Sequence, residues 1–594
     1  MRRNLAALAN QTFDVLVIGG GIHGACVAWE ATLRGLSVAL VEQSDFASGT
    51  SANSLKVIHG GLRYLQTADL QRMRQSIKER QTLMRIAPHL VHPMPVLVPT
   101  YGHGIKGKEA MTVALKMNDV ISGDRNRPLS DPQKHIPTGK LLSKTDCLAQ
   151  LPDLESKGLT GAACFHDAQM HNSEQLVLAF IQSAAEQGAQ IANYLKVTAV
   201  HTKDSKVVGA TVQDQRHPSA QQQSAQQQSA QNQSAQPDTF TIQANTIINA
   251  SGPWIDQLIA TATGQPTTTH KRPLAKAMNL VTRPLFDTKN PYAVGITGRA
   301  PGSRLFFIAP WRGKSLVGTW YGPDNEGTKP PTATSDEVAN FLDQINRAYP
   351  TFQLTPDDVE WVHSGLLPSD GQSSETGDMK LTKRFQLIDH KADGLQGLLS
   401  IKGVKYTTAR DLARRAIDWV FNRRQQMPET STSDKTPIHG GDIEQFDTFL
   451  ANAIQTSQLP ADTVTRLVYN YGSAYTDVLA CMEPGVDGST DDREKNLKAI
   501  AAEVKYSLDN TMAQTLSDVI FRRTELGAAG HPGADVLQHC ANIMSDHLGW
   551  SLSQRTAEVE TVEQQFTARS FPQKPSSPPP EPLTQTRYAT AVSP

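Results

Sequence analysis

The first pattern with chemical meaning is a glycine-rich segment in which Gly19, Gly21 and Gly24 match G-x-G-x-x-G. Such glycines allow a tight turn, close approach of backbone N–H groups to a pyrophosphate, and close packing of a helix on a strand. Glu42 follows at the end of the next apolar run, where a carboxylate can accept hydrogen bonds from both ribose hydroxyls. The pattern predicts a dinucleotide site. The alternatives are a glycine-rich turn and a solvated strand end.

A second polar segment, 50–64, contains paired glycines beside His59, Arg63 and Tyr64. Paired glycines let the backbone pass close to a flat ring, and an arginine fork suits a phosphate or a carboxylate. Taken alone, this segment is explained more simply by a surface arginine and a structural histidine.

The elements that must position these residues are short apolar strands. A strand at 13–19, a helix at 25–33 and a strand at 36–42 form one βαβ unit, the opening of a nucleotide-binding fold. Further buried strands are predicted at 246–250 and 398–401, the second followed by Gly403 and a helix.

The C-terminal part of the chain has helical periodicity instead. Between 495 and 521 apolar residues recur every three or four positions, which predicts one long amphipathic helix with Gly527 just beyond it. Shorter helical patterns lie at 446–454 and 461–480. Together they indicate a separate α-helical domain.

Two other charged patterns favour ordinary structural roles. Basic residues recur along a predicted helix at 71–85, and a solvated helical face is the default interpretation, with a membrane-surface role left open. His166 and His171 are five residues apart, a spacing that does not put both on one face of a helix. No metal site is therefore expected.

Composition narrows the class of protein. The 594 residues are 39% hydrophobic and 19% charged, with a formal net charge of −1 and a mean hydropathy of −0.38. The composition and hydropathy exclude a chain that is mostly membrane-embedded or disordered throughout. The near-zero net charge argues against a nucleic-acid partner. The five cysteines are scattered, without a CxxC pair, which favours a reducing compartment. We expect a cytoplasmic protein.

The residues at 15–25 and 56–65 resemble those of the FAD-dependent, aerobic glycerol-3-phosphate dehydrogenases. The His-Gly-Gly-Leu-Arg-Tyr block at 59–64 is the specific part of this resemblance. It continues through the segments 87–90, 248–254, 309–311, 361–365, 405–410, 469–473 and 521–524. The resemblance spans nearly the whole chain except a glutamine-rich repeat and a proline-rich tail.

The resemblance implies an α/β fold in which a Rossmann-like FAD-binding domain carries an antiparallel-sheet substrate (cap) domain and a C-terminal α-helical domain. The implied FAD-binding segments are 12–75, 160–265 and 380–425, with the glutamine-rich loop at 218–237. The implied cap segments are 76–159 and 266–379. The helical domain would span 430–565, and 566–594 would be a disordered tail.

The resemblance also assigns site residues by position. Gly19, Gly21, Gly24 and Glu42 would hold the ADP half of FAD. Thr50 and Ser51 would lie near the flavin side, Ala250 and Gly252 near the adenine ribose, and Gly403 would face the isoalloxazine. The residues around the substrate phosphate would be Arg63, Tyr64 and Lys405. His59 is the candidate catalytic base by motif.

The implied reaction is oxidation of sn-glycerol 3-phosphate to dihydroxyacetone phosphate, with hydride transfer to flavin N5. Electrons would pass to a quinone or another acceptor. A peripheral contact with the inner face of the membrane and a homodimer are left open.

Three positions depart from the family pattern around the substrate. Leu367 stands where the family has an arginine, Asn279 replaces a histidine, and the 318–321 block lacks the family's acidic residue. Arg299, Arg304 and Arg312 are candidates to compensate. One alternative is a related flavoenzyme acting on another hydroxy or amino compound. Another is a low-turnover flavin-binding scaffold that acts through its helical domain, and an NAD-only enzyme is less favoured.

Overall fold

A computed structural model describes residues 1–104, 107–152, 154–216, 239–264, 273–286, 292–297, 305–324, 331–372, 379–482 and 491–569. The predicted glutamine-rich loop at 218–237 lies outside the described residues, as do Arg299, Arg304 and the tail beyond residue 569.

Twenty strands are described. They are β1 Thr12–Phe13, β2 Val15–Ile18, β3 Val38–Val41, β4 Val57–Ile58, β5 Val91–Tyr101, β6 Lys140–Leu142, β7 Leu159–Met170, β8 Gln190–Ala192, β9 Leu195–Lys203, β10 Lys206–Asp214, β11 Thr239–Ala244, β12 Ile247–Asn249, β13 Leu274–Thr282, β14 Ala293–Thr297, β15 Leu305–Trp311, β16 Lys314–Pro323, β17 Val359–Gln372, β18 Met379–Leu381, β19 Gln386–Asp389 and β20 Leu398–Lys402.

The α-helices of the described residues are α1 Leu5–Asn10, α2 Ile22–Leu33, α3 Leu70–Ile86, α4 Lys108–Ile121, α5 Lys144–Gln150, α6 Ser173–Glu186, α7 Ile255–Thr263, α8 Ser335–Ala348, α9 Ala409–Arg423, α10 Phe446–Thr456, α11 Ala461–Tyr471, α12 Tyr475–Leu479, α13 Asp492–Asn510, α14 Leu516–Asp518, α15 Ala534–Leu548 and α16 Leu552–Arg569. A π-helical turn, Val519–Arg523, follows α14 directly.

A six-stranded sheet forms the nucleotide-binding layer, in the order β19-β20-β12-β2-β3-β8. All neighbouring strands run parallel except the edge pair β19 and β20. Its central strands β2 and β3 are buried throughout, as expected of apolar strands covered on both faces. Helices α2, α6 and α9 pack on this layer, with the Trp29 ring 5.2 Å from that of Phe180. The predicted Rossmann-like unit is confirmed.

The cap is built on a larger sheet in the order β18-β17-β13-β16-β15-β14-β5-β7-β4, with β6 added beside β7. Its strands pair antiparallel, as predicted, except for β5 and β14. The second FAD-binding segment, predicted to begin at residue 160, begins later in the chain. Strand β7 (Leu159–Met170) pairs with β5 along its whole length and therefore belongs to the cap sheet. Strand β7 is buried along most of its length, and its sequence does not identify which sheet it joins.

The C-terminal domain is helical, as predicted, but its long helix is interrupted. Helix α13 ends at Asn510, and Met512 adopts a left-handed φ of 57° before α14 begins. Both pieces pack on the same apolar cluster, since Ile500 and Val504 precede the break and Leu516 follows it. The apolar periodicity of the sequence therefore continues across two helices and the turn between them.

The start of the predicted tail is also corrected. Residues 566–569 form the last turn of α16, and Phe566 is buried against Trp361 and Phe521. An aromatic residue at a helix end can complete a core even where the following sequence is rich in proline.

Candidate active site

The glycine-rich segment forms the expected strand–turn–helix. Gly19 follows β2 with a φ of 114°, and a Cβ there would lie 2.5 Å from the carbonyl oxygen of Ala250. Gly24 lies in the first turn of α2, where a Cβ would lie 1.8 Å from the carbonyl oxygen of Gly19. Neither position has room for a side chain. The helix can therefore approach the strand closely and direct its N-terminal N–H groups toward an anion.

Glu42 follows β3 and faces the glycine turn. Its carboxylate accepts hydrogen bonds from the backbone N–H groups of Gly20, at 2.7 Å, and Ser44, at 2.9 Å. Burial raises the pKa of Glu42, and these two hydrogen bonds act in the opposite direction. The carboxylate is thus held beside the turn at the position predicted for the ribose hydroxyls.

A cavity of about 460 Å³ extends from the glycine turn to the cap sheet. Eight of the nine residues predicted to hold the cofactor line it: Gly19, Gly21, Glu42, Thr50, Ser51, Ala250, Gly252 and Gly403. The ninth, Gly24, does not line the cavity but packs against Gly19, which does. The structure therefore brings together segments that lie far apart along the chain.

The residues present fit a flavin dinucleotide. The Ser51 hydroxyl accepts a hydrogen bond from the Ile22 N–H at 3.0 Å, which ties the 42–51 segment to the start of α2. Next to the start of α2, a Cβ on Gly403 would lie 2.5 Å from the His23 ring. A side chain at position 403 would therefore collide with His23, and only glycine fits there.

His23 also lines the cavity, and it could not be selected from the sequence because it occupies a variable position of the glycine motif. Its Nε2 atom is buried and has no hydrogen-bond partner among the described residues. Burial lowers the pKa of His23 to about 4, so the imidazole is neutral at physiological pH. A buried orphan nitrogen beside Gly403 is a group that a bound ligand can satisfy.

The three residues predicted to hold the substrate phosphate form one cluster. Lys405 lines the cavity, its ammonium contacts the Tyr64 hydroxyl, and it lies 4.2 Å from the centroid of the Tyr64 ring. The Arg63 guanidinium lies 5.5 Å from the same ring. Burial and the nearby Arg63 charge together lower the pKa of Lys405 to about 8.

A smaller recess of about 220 Å³ shares His23, Gly403 and Lys405 with the cavity. Four more cationic residues line it: Arg72, Lys383, Arg384 and Arg415. Nearby carboxylates balance them only in part, with Asp69 beside Arg72 and Arg384, and Asp411 beside Arg415. The recess therefore favours an anion.

The basic helix predicted at 71–85 is confirmed as α3, but its basic residues do not form one solvated face. Arg72 lines the recess, and Arg80 is buried, where it donates hydrogen bonds to the His166 carbonyl and the Asp167 carboxylate. Arginine is tolerated inside because these acceptors replace water. The periodicity indicated the helix but not which cations it buries.

His59 does not contribute to the cavity wall. Its Nδ1 atom lies 2.9 Å from the Asp167 carboxylate, its ring stands edge-on to Phe307, and 45% of its side chain is exposed. Its role as the base stays a prediction.

The departures from the family pattern gather on the cap side of the cavity. Asn279 on β13, Leu367 on β17 and Tyr321 on β16 all line it. The Asn279 side-chain oxygen accepts a hydrogen bond from the Thr319 hydroxyl at 2.8 Å. Arg312 does not compensate for the missing arginine, because it donates to the His171 carbonyl and pairs with Glu525.

Within the described residues, no group of three or more His, Cys, Asp or Glu side chains could hold a metal ion. Over the same part of the chain, every helix is too short or too polar to cross a membrane.

Comparison with known proteins identifies the family. The family described as FAD dependent oxidoreductase matches residues 14–391, and the C-terminal domain of alpha-glycerophosphate oxidase matches residues 431–555. A glycerol-3-phosphate dehydrogenase of Synechocystis sp. is 29% identical over 585 residues, covering 96% of this chain and 99% of that protein. An aerobic glycerol-3-phosphate dehydrogenase of Staphylococcus aureus is 29% identical over 573 residues, covering 94% and 95%.

A solved structure shares the fold. The glycerol-3-phosphate dehydrogenase of Bacillus halodurans, complexed with FAD, has a TM-score of 0.70 at 23% identity, and the alignment covers 95% of this chain and 96% of that one. The predicted fold class, enzyme class and FAD cofactor are confirmed by these matches. Since the first family match spans more than half of the sequence, the chain belongs to the FAD dependent oxidoreductase family.

Proposed function

We propose that this enzyme oxidises sn-glycerol 3-phosphate to dihydroxyacetone phosphate. The observation that carries the proposal is the cluster of Lys405, Tyr64 and Arg63, of which Lys405 lines the cavity together with the dinucleotide-binding residues. The named activities of the Synechocystis and Staphylococcus relatives support it.

The chain offers a distinct set of contacts for each part of FAD. Gly19, Gly21 and Glu42 would hold the ADP half, with Ala250 and Gly252 on the same side. Thr50 and Ser51 would approach the flavin side, and Gly403 would face the ring. Bound FAD supplies the hydride acceptor at N5.

The cationic end of the cavity would hold the substrate's phosphate. Lys405 and Arg63 place two positive charges beside Tyr64, and the adjoining recess adds the charge of Arg72. A phosphate anchored there would fix the secondary alcohol relative to Gly403. Such positioning contributes several kcal/mol to catalysis, up to roughly 7–11 kcal/mol in well-oriented cases.

We propose His59 as the proton acceptor for the substrate hydroxyl on the strength of its motif and its pairing with Asp167, although its side chain does not line the cavity described above. If its Nδ1–H donates to Asp167, the Nε2 atom is left as the basic nitrogen. This nitrogen would take the hydroxyl proton, and bound FAD would supply the acceptor for the carbon-bound hydrogen and its electron pair.

The cap side of the cavity supports a second candidate. Leu367 and Asn279 leave that wall without the arginine and histidine of the family pattern, and Tyr321 stands beside them. A family arginine contact to phosphate contributes about 1.5–3 kcal/mol. The second candidate is therefore the same flavin chemistry on a different hydroxy or amino compound.

We further propose that electrons pass to a quinone or another acceptor and that the protein works in the cytoplasm, where a peripheral contact with the inner face of the membrane and a homodimer are open to test. Co-flotation with anionic vesicles and light scattering test the last two points. Reoxidation of the reduced enzyme by a soluble quinone tests the first.

An anaerobic titration of the holoenzyme with sn-glycerol 3-phosphate separates the two candidates. Stoichiometric bleaching of the oxidised-flavin absorbance is the expected result. Glycerol, which lacks the phosphate, and the Lys405→Met variant serve as controls and should bleach far more slowly. A wild-type flavin that stays oxidised with sn-glycerol 3-phosphate would reject the first candidate and leave the second.

A further inference from the structure

The Arg-Arg pair of the 521–524 motif has no part in the cavity wall, yet both side chains reach toward it. Arg522 and Arg523 end the π-helical turn Val519–Arg523 of the C-terminal domain. Their guanidinium groups converge on the Asp45 carboxylate: Arg523 donates two hydrogen bonds, at 2.6 and 2.8 Å, and Arg522 donates one at 2.6 Å. Asn193 adds a fourth at 2.9 Å.

Asp45 lies in the middle of the segment that forms one wall of the FAD cavity. Eight of the ten residues of the 42–51 segment line the cavity, and only Asp45 and Phe46 turn away from it. Phe46 packs against Gly20, and the Ala47 N–H donates to the Gly20 carbonyl at 3.0 Å. The contact at Asp45 therefore fixes the 42–51 segment from the side that faces away from the cavity.

The ion pair is fully buried and closely partnered. Asp45 and Arg523 are each 1% exposed. Burial opposes ionisation of Asp45, but the charges of Arg523 and Arg522 outweigh it and hold the pKa of this carboxyl well below its ordinary value. Removal of one partner would leave an uncompensated buried charge, which is far more costly than the loss of a surface pair.

Arg523 is itself fixed to the helical domain. Its Nε donates to the Thr511 hydroxyl at 3.0 Å and to the Thr511 carbonyl at 3.1 Å, and its own carbonyl accepts from the Tyr471 hydroxyl at 3.0 Å. Arg522 is tied to Asp518 at 2.6 Å. The Asp45 carboxylate is thus anchored to elements of the C-terminal domain, while its neighbours in sequence line the cavity.

We propose that the contact of Asp45 with Arg522 and Arg523, here called the clasp, makes the C-terminal helical domain part of the FAD site. Arg523 is a positioning residue: it touches neither cofactor nor substrate and acts through Asp45 on the 42–51 wall. The proposal needs only FAD binding, so it does not depend on which substrate the enzyme oxidises.

The test is the affinity of the apoprotein, prepared by removing FAD from the purified holoprotein, for added FAD. The variants are Arg523→Gln and Asp45→Asn. FAD binding to each apoprotein is measured by the quenching of flavin fluorescence. We expect the Kd for FAD to rise roughly 10- to 100-fold, the range for loss of charge-assisted hydrogen bonds. Arg523→Lys should recover part of the affinity.

The matched control is Arg466→Gln. Arg466 forms a buried ion pair with Glu503 inside the same helical domain and does not contact the 42–51 segment. Its loss should lower thermal stability but leave the Kd for FAD unchanged. The double variant Asp45→Asn/Arg523→Gln should raise the Kd by less than the product of the two single effects, since both act through one contact.

The proposal is overturned if the Kd of Arg523→Gln stays within about twofold of wild type, or if Arg466→Gln raises it equally. Circular dichroism establishes that each apoprotein is folded. If the Arg523→Gln variant does not fold, the Arg522→Gln variant tests the proposal instead, because it leaves the two hydrogen bonds from Arg523 to Asp45 in place. A several-fold rise in Kd then supports the clasp, and an unchanged Kd rejects it.

Discussion

The chemistry of the site depends on a few side chains whose charge is set by burial. Lys405 and His23 face the same end of the cavity, and burial lowers the pKa of both, to about 8 and about 4. At neutral pH the lysine is charged and the imidazole is neutral. Lys405 is therefore a titratable cation near the working pH at the position proposed for the substrate phosphate, with the Arg63 charge nearby.

The charge on Lys405 should appear in the pH dependence of catalysis. Since kcat/KM reports the free enzyme, we expect kcat/KM for sn-glycerol 3-phosphate to fall as pH rises through about 8, where Lys405 loses its proton. Steady-state rates across this range check the prediction. Lys405→Arg keeps its charge to higher pH and should move this decline upward. The same decline in both enzymes would assign it to another group.

Replacement of His59 tests its role as the base. His59→Asn should lower kcat by roughly 10²–10⁴-fold, the usual contribution of general-base catalysis, without changing the Kd for FAD. Stopped-flow flavin reduction measures the step directly. His103→Asn, at an exposed histidine that also pairs with a carboxylate, is the control. An unchanged reduction rate in His59→Asn would place the base elsewhere.

At the scale of elements, the last described helix, α16, completes a core through Phe566, the first residue of the predicted tail. Trp361 of β17 lies 5.5 Å from the ring of Phe521 and 5.3 Å from that of Phe566, and the last two rings are 4.9 Å apart. Three separate elements therefore meet in one aromatic cluster. Helix α16 is bound through this cluster rather than through its own helical propensity.

Truncation of the aromatic side chain on α16 should destabilise the protein. Phe566→Ala should lower the free energy of unfolding by roughly 3 kcal/mol, because it removes a buried ring and leaves a cavity. Leu552→Ala, at a position on the same helix that is 70% exposed, should change it by less than about 0.5 kcal/mol. Urea unfolding compares the two. Equal effects would show that α16 is not bound through the ring cluster.

At the scale of the whole molecule, buried histidines couple stability to pH. Burial lowers the pKa of His89 to about 3, with His439, Lys134 and His171 adding charge repulsion, and it lowers the pKa of His92 well below its ordinary value. An unfolded histidine takes up a proton near pH 6.5. Between these values the unfolded chain binds more protons than the folded one, so stability increases with pH.

The resulting prediction is a loss of stability on mild acidification. As pH falls below about 6.5, each such histidine should reduce the free energy of unfolding by at most about 1.4 kcal/mol per pH unit. Urea unfolding between about pH 7 and pH 5 measures the slope. His89→Asn removes one of these groups and should flatten it. A variant with the wild-type slope would contradict the assignment.

The local parts of the FAD site could be predicted from the sequence. Gly19, Gly21, Gly24 and Glu42 belong to one βαβ unit, whose geometry follows from a contiguous stretch of chain. Residues from distant segments, such as Gly403 and Lys405, needed the family resemblance. His23 had no signal, because its importance comes from burial beside Gly403.

What the sequence determined by itself was therefore the chemistry available: a dinucleotide fingerprint, a set of cations and a helical C-terminal region. Only the tertiary structure decided which groups meet. Lys405 reaches Tyr64 across 341 positions of sequence, Arg523 reaches Asp45 across 478, and β7 joins the cap sheet. The physical reason is that hydrophobic periodicity reports which face of an element is buried. The partner that covers that face depends on packing and pairing between segments far apart in the chain.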